Sequence, residues 1–127
     1  MFIHDDFNFM IGNIDRDVVG EDAILECKTA SPFSAGKWKD GIPEYYEIQC
    51  LHYLAVTGAF KCYLACLVFG RELIIREINR DEETLKNLIR IEQGFWENYV
   101  LSKQLPPPDG SDAAAYAIKT IYPGFPL

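Results

Sequence analysis

The amino-acid sequence predicts an α/β fold in which a mixed β-sheet is flanked by helices. Three observations carry that expectation. Short strand-like stretches fill residues 7–29, one helical stretch (43–58) separates them from two further strand candidates, and helical spacing dominates after Asp81. The resulting order, β-β-β-α-β-β-α-α, does not alternate as a Rossmann fold would. The chain has 127 residues, 49% of them hydrophobic and 13% aromatic, enough for one domain with a real core. That composition excludes disorder, and no repeat supports a collagen-like or coiled-coil class.

Taken in order, Phe7 to Gly12 reads as a short apolar strand and Ile14 to Val19 as an alternating one. Ala23 to Thr29 forms a third around Ile24 and Leu25. Gly20-Glu21 between the last two suits a two-residue hairpin loop, with Gly at the first central position of a type II′ turn. Residues 31–42 are a polar loop. Pro43 opens a helix whose first turn carries Glu44 and Glu47 and which Gly58 can end. Ala59 to Phe69 reads as a buried strand, with Glu72 to Ile78 as its partner after a turn at Gly70-Arg71. Asp81 caps a long helix reaching about Ser102, with Leu85, Leu88, Ile91, Phe95 and Tyr99 along one side. Pro106 to Gly110 breaks it, and Ser111 or Asp112 caps a final short helix through Ile121.

The formal net charge is −7, which argues against a generic nucleic-acid coat. The excess is localised. Residues 1–28 hold Asp5, Asp6, Asp15, Asp17, Glu21, Asp22 and Glu26 against only Arg16 and Lys28. Asp5 and Asp6 also fall where a signal peptide would need a basic and then apolar stretch, and the longest apolar run, Cys62 to Phe69, is too short for a membrane span. A soluble, cytoplasmic protein with no membrane partner is expected. The cysteines (Cys27, Cys50, Cys62, Cys66) form no CxxC pair and no zinc spacing. Cys62 and Cys66 would lie roughly 13 Å apart on a strand at ~3.3 Å per residue, too far for a disulfide, so reduced and mostly buried thiols are expected.

Within the acidic hairpin, Glu26 and Lys28 project from one strand face and Cys27 from the other. A turn at Gly20-Glu21 sets Asp15 across from Glu26, and two like charges so placed are destabilising unless something positive lies between them. A divalent cation would meet that need, because two carboxylates, a main-chain carbonyl and waters are what Mg²⁺ favours. Lys28 on the same face could orient or help deprotonate a metal-bound water, and the metal would stabilise charge developing on phosphate. The competing reading is a solvated sheet face on which Lys28 pairs with the acids.

Asp15, Leu25-Glu26-Cys27-Lys28-Thr29 and the helix Tyr45 to Gly58 (YYEIQCLHYLAVTG) together resemble the YqaJ-type phage recombinases, in the lambda-exonuclease branch of the PD-(D/E)XK nuclease superfamily. Arg80 to Glu83, Phe95-Trp96 and Pro107 to Ser111 extend the resemblance over nearly the whole chain. It implies a PD-(D/E)XK restriction-endonuclease-like core and a 5′-to-3′ exonuclease of double-stranded DNA ends, working in phage or prophage recombination. Asp15, Glu26 and the Cys27 carbonyl would be ligands of Mg²⁺, with Mn²⁺ as substitute, and Lys28 the catalytic lysine. Gln49 and Tyr53 match the QxxxY motif; four apart on a helix, they share a face and could hold the site or contact DNA. A single-strand annealing protein and a homo-oligomeric ring are the implied partners. The chain resembles the C-terminal part of such a domain, a single nuclease-like unit over 1–127 without the family's N-terminal helical portion and its Glu. A catalytically incomplete interaction module is the alternative, and an iron–sulfur CRISPR-type nuclease is disfavoured because the cysteines lie inside the core.

Other residues invite weaker readings. Asp17 shares the Asp15 face and could support a metal from outside its ligand set. Lys37, Trp38 and Lys39 form a basic-aromatic tip suited to stacking or phosphate contact. His52 lies on a different helical face from Tyr53, with no nucleophile motif to serve.

Overall fold

The computed structural model describes residues 1–124, in two compact units, Met1–Gln93 and Gly94–Leu127. In the first unit, β1 (Phe2–Ile3) pairs antiparallel with β2 (Ile11–Gly12). A four-stranded mixed sheet then follows, in the order β3 (Arg16–Asp17), β4 (Ala23–Ala30), β5 (Lys61–Val68), β6 (Glu72–Asn79). The β4–β5 pairing is parallel and the other two antiparallel. The parallel pair requires a crossover, which α1 (Glu44–Thr57) supplies. The mixed α/β architecture expected from the sequence is therefore present.

The first two strands are shorter than the sequence suggested. Only Ile11–Gly12 and Arg16–Asp17 form ladders, because residues 7–10 make a turn closed by the Met10 N–H donating to the Phe7 carbonyl (2.9 Å), with Phe7 and Phe9 packed against the core. The hairpin loop also differs. The Glu21 N–H donates to the Val18 carbonyl (3.3 Å), so Gly20, at φ +86°, occupies the third position of that turn and not the first central position of a type II′ loop. The register nevertheless matches, with Arg16 paired to Leu25 and Asp17 to Ile24. Phe69 and Gly70, both at positive φ, form the β5–β6 turn, one residue earlier than expected.

Alternation along the sheet decides what is buried. Ile24, Glu26 and Ala30 of β4, with Cys62, Leu64, Cys66 and Val68 of β5, are all buried. Cys50, Leu54, Ala55 and Val56 of α1 join them, together with Met10, Trp38, Ile78 and Leu85. Pro43 precedes α1, and Gly58 ends it in the left-handed region at φ +77°, its N–H bonded to the Leu54 carbonyl. Asp81 accepts from the Thr84 N–H (2.8 Å) and so caps α2 (Glu82–Phe95). Leu85 and Ile89 of this helix meet the core, while Ile91 and Phe95 are exposed, so the apolar stripe is narrower than the sequence suggested. All four cysteines are free thiols, with Cys27 exposed and the other three buried.

In the second unit α-helical geometry gives way to a π-helical stretch over Trp96–Leu101, where the sequence suggested one continuous helix. Ser111 caps α3 (Asp112–Ile121) by accepting from the Ala114 N–H at 3.1 Å. Phe95, Tyr99, Leu105, Pro107, Ala117 and Ile121 line a cavity of about 500 Å³ within this unit. Among the described residues no helix is long and apolar enough to cross a membrane.

Candidate active site

The centre of β4 carries Glu26 and Lys28, and the pleat aims both at the α1 side of the sheet. Glu26 is only 5% exposed, the one buried charged residue among those described. Its Oε1 accepts from Lys28 Nζ at 2.5 Å and from Gln49 Nε2 at 3.2 Å. Gln49 Nε2 also lies 3.0 Å from the Tyr53 hydroxyl, so the two helix residues four apart act together on Glu26. Tyr53 reaches this position because Gly12 leaves room, since a Cβ there would stand 3.0 Å from the Tyr53 ring.

Asp15 lies just before the β3 ladder, and its Oδ2 accepts from the Cys27 N–H at 2.7 Å. It therefore does not face Glu26 as a bare like-charge pair across the hairpin. One carboxylate is held by a main-chain amide and the other by an ammonium and a carboxamide. Asp15 remains part of the cluster electrostatically. Burial lowers the affinity of Lys28 for its proton, but the Glu26 hydrogen bond and the charges of Glu26, Tyr46 and Asp15 outweigh it, holding the ammonium above its ordinary pKa. A lysine so held donates hydrogen bonds and positive charge.

Glu26 Oε2 is buried and has no hydrogen-bond partner. An orphaned carboxylate oxygen is costly, on the order of 1–3 kcal/mol, unless a ligand completes it. Hard oxygen donors fit Mg²⁺ or Mn²⁺, and Glu26 Oε2, an Asp15 carboxylate oxygen and the Cys27 carbonyl are donors of that kind that would hold such an ion. Among the described residues no three metal-competent side chains converge.

The other sequence candidates separate from this cluster. Asp17 is exposed in β3, paired in register with Ile24. Lys37 and Lys39 are exposed on the loop, with Lys37 Nζ 5.9 Å from the Tyr45 ring centre. Trp38 is a correction to the basic-aromatic tip. It is 1% exposed, ends a short 3₁₀ turn (Ala35–Trp38), and packs on Tyr46, so it cannot stack on a base. The apolar interior needed a large side chain there, and the loop composition hid it. His52 is structural, with Nδ1 2.9 Å from both carboxylate oxygens of Glu92 and Nε2 2.9 Å from the Ile11 carbonyl. Glu92 carries no motif, so only the fold reveals this pair. Sequence reasoning also missed Tyr46, although its place three residues before Gln49 put it on the same helical face.

Residues 1–60 match the YqaJ-like viral recombinase domain. The Bacillus subtilis (strain 168) protein described as the uncharacterized protein YqaJ is 43% identical over 122 residues, covering 94% of this chain. The chain spans 38% of the length of that relative. The solved structure of SSO0001 superposes with a TM-score of 0.47 at 22% identity, over 90% of this chain and 50% of its own.

Proposed function

The chain belongs to the YqaJ-like viral recombinase family, and from that membership together with the β4–α1 cluster we propose that it is the metal-binding part of a DNA nuclease. The observation that carries the reading is the buried Glu26, braced by Lys28 and Gln49 and left with one carboxylate oxygen unpartnered. Glu26, Asp15 and the Cys27 carbonyl would hold Mg²⁺, with Mn²⁺ as substitute. When bound, the ion supplies an activated water and charge stabilisation for phosphodiester hydrolysis.

The protein's own groups have separable roles in this reading. Gln49 fixes the Glu26 carboxylate by donating to Oε1, and Tyr53 fixes Gln49. Lys28, held charged, neutralises negative charge building on a phosphate oxygen. Lys37 and Lys39 are exposed and suited to the phosphate backbone of a duplex end, which carries affinity without sequence information. The substrate would be the end of double-stranded DNA, resected 5′-to-3′ in phage-type recombination in the bacterial cytoplasm. A single-strand annealing protein would be the partner, and a homo-oligomer the working form.

Cleavage of a linear duplex across a Mg²⁺ titration tests the reading, and activity surviving both Glu26→Gln and Lys28→Ala would sink it. A second reading rests on the donor set, since no three metal-competent side chains converge among the described residues, and makes the chain a catalytically incomplete interaction module. Calorimetry with Mg²⁺ or Mn²⁺ separates the two, because a module without a site gives no binding heat for Asp15→Asn to remove.

A further inference from the structure

The surroundings of Tyr46 give it a role that no motif assigns. It lies on α1 with Gln49 and Tyr53, at helical spacings of three and seven that bring all three to one side. Lys28 Nζ stands 4.8 Å from the centre of the Tyr46 ring, within cation–π range, while the same ammonium is 2.5 Å from Glu26 Oε1. The ring is itself held, its centre 5.6 Å from that of Trp38 and 4.3 Å from that of Tyr45. Trp38 is immobilised in turn, buried in the core with its carbonyl accepting from Arg76 Nη2 at 3.0 Å. A chain of fixed groups thus runs from the sheet through the 31–42 loop to the lysine.

Lysine is a point charge on a flexible four-carbon stem, and nothing in its own chemistry fixes where the ammonium stands. Glu26 alone would hold it at one contact, and that contact weakens once Glu26 is shared with a cation. A second, uncharged restraint avoids this weakness, because an aromatic face does not compete for the metal. We propose that Tyr46 is a positioning residue whose ring face fixes the Lys28 ammonium at the phosphate-facing site when Glu26 is engaged by metal. This inference rests on the nuclease reading of the site. It depends on the ring and not on the hydroxyl, so phenylalanine preserves the function and an aliphatic residue of similar size does not.

The full chain is assayed on linear duplex DNA at saturating Mg²⁺. Tyr46→Leu lowers kcat about tenfold with KM changed less than about twofold, and Tyr46→Phe restores most of the rate. Equal losses in the two variants, or a loss confined to KM, overturn the proposal. A second readout is independent of activity. The Lys28 side-chain methylene resonances are displaced upfield by the ring current in the unsubstituted chain and in Tyr46→Phe, and return to the position of an exposed lysine in Tyr46→Leu. An undisplaced Lys28 in the unsubstituted chain overturns the proposal without any variant, so a Tyr46→Leu chain that failed to fold would not protect it. A chain that shows the displaced resonances yet cleaves nothing sinks the nuclease reading while the Tyr46–Lys28 contact stands.

Discussion

Glu26 is buried with one oxygen unpartnered, and its neighbours separate what it costs from what it does. Glu26→Gln keeps the shape and removes a desolvated charge. It also leaves the Lys28 ammonium without its anionic partner, so unfolding free energy should fall by about 1 kcal/mol, while in the proposed reading the Mg²⁺ binding heat disappears. Lys28→Met should cost more. It strips the ammonium from a carboxylate that stays buried, and a loss of about 2 kcal/mol in urea denaturation is the expected result. The identities of these residues were legible from the ExK spacing, because strand alternation puts Glu26 and Lys28 on one face whatever surrounds them. Their contacts were not. The bond from the Cys27 amide to Asp15 depends on the ladder beginning at Arg16, one residue late, and sequence periodicity does not fix strand ends to a single residue.

At the scale of elements, the pair His52–Glu92 joins α1 to α2, and the same imidazole reaches the Ile11 carbonyl of β2. Both ring nitrogens face acceptors, so the doubly protonated imidazolium satisfies them together. The Glu92 hydrogen bond, opposed by burial and aided by the Ile11 carbonyl and the Glu92 charge, holds the His52 pKa above its ordinary value. A folded-state value above the unfolded one gives stability that is complete below about pH 6.5 and fades as pH rises through the folded value. Urea midpoints measured from pH 5.5 upward should therefore fall, and Glu92→Gln should flatten that fall. Gly58 gives a simpler test. Its φ of +77° favours glycine and nothing lies within 4 Å of an added Cβ, so Gly58→Ala should cost about 1 kcal/mol from backbone strain alone. The α1 boundaries were readable because Pro43 and Gly58 act locally. The π-helical stretch at Trp96–Leu101 was not, since the extra residue per turn leaves no pattern in the side chains themselves.

For the whole molecule, the net charge of −7 sets how it can approach a polyanion. In the proposed nuclease reading, Asp15, Glu26 and their acidic neighbours would repel phosphate until a cation is bound, so duplex affinity should depend on the divalent ion and not only on Lys37 and Lys39. Fluorescence anisotropy with a duplex end should show at least tenfold tighter binding in Ca²⁺ than in EDTA, a difference that Asp15→Asn removes. The mixed sheet was legible because only β4, α1 and β5 needed recognising to require a parallel pair. The two-unit organisation was not, because no linker composition marks the change at Gly94.

The parallel alignment of β4 with β5 also has a consequence in time. Ala23–Ala30 can zip onto Lys61–Val68 only after the intervening crossover has closed a long loop, an entropically slow step. The Asp15–Glu26 hairpin is local and can form early, but Gln49 and Tyr53 reach it only when that late step docks the helix. During synthesis on the ribosome, the acidic hairpin would thus precede the groups that brace it, and folding rate should be more sensitive to changes at Leu64 or Cys66 than to changes in the hairpin.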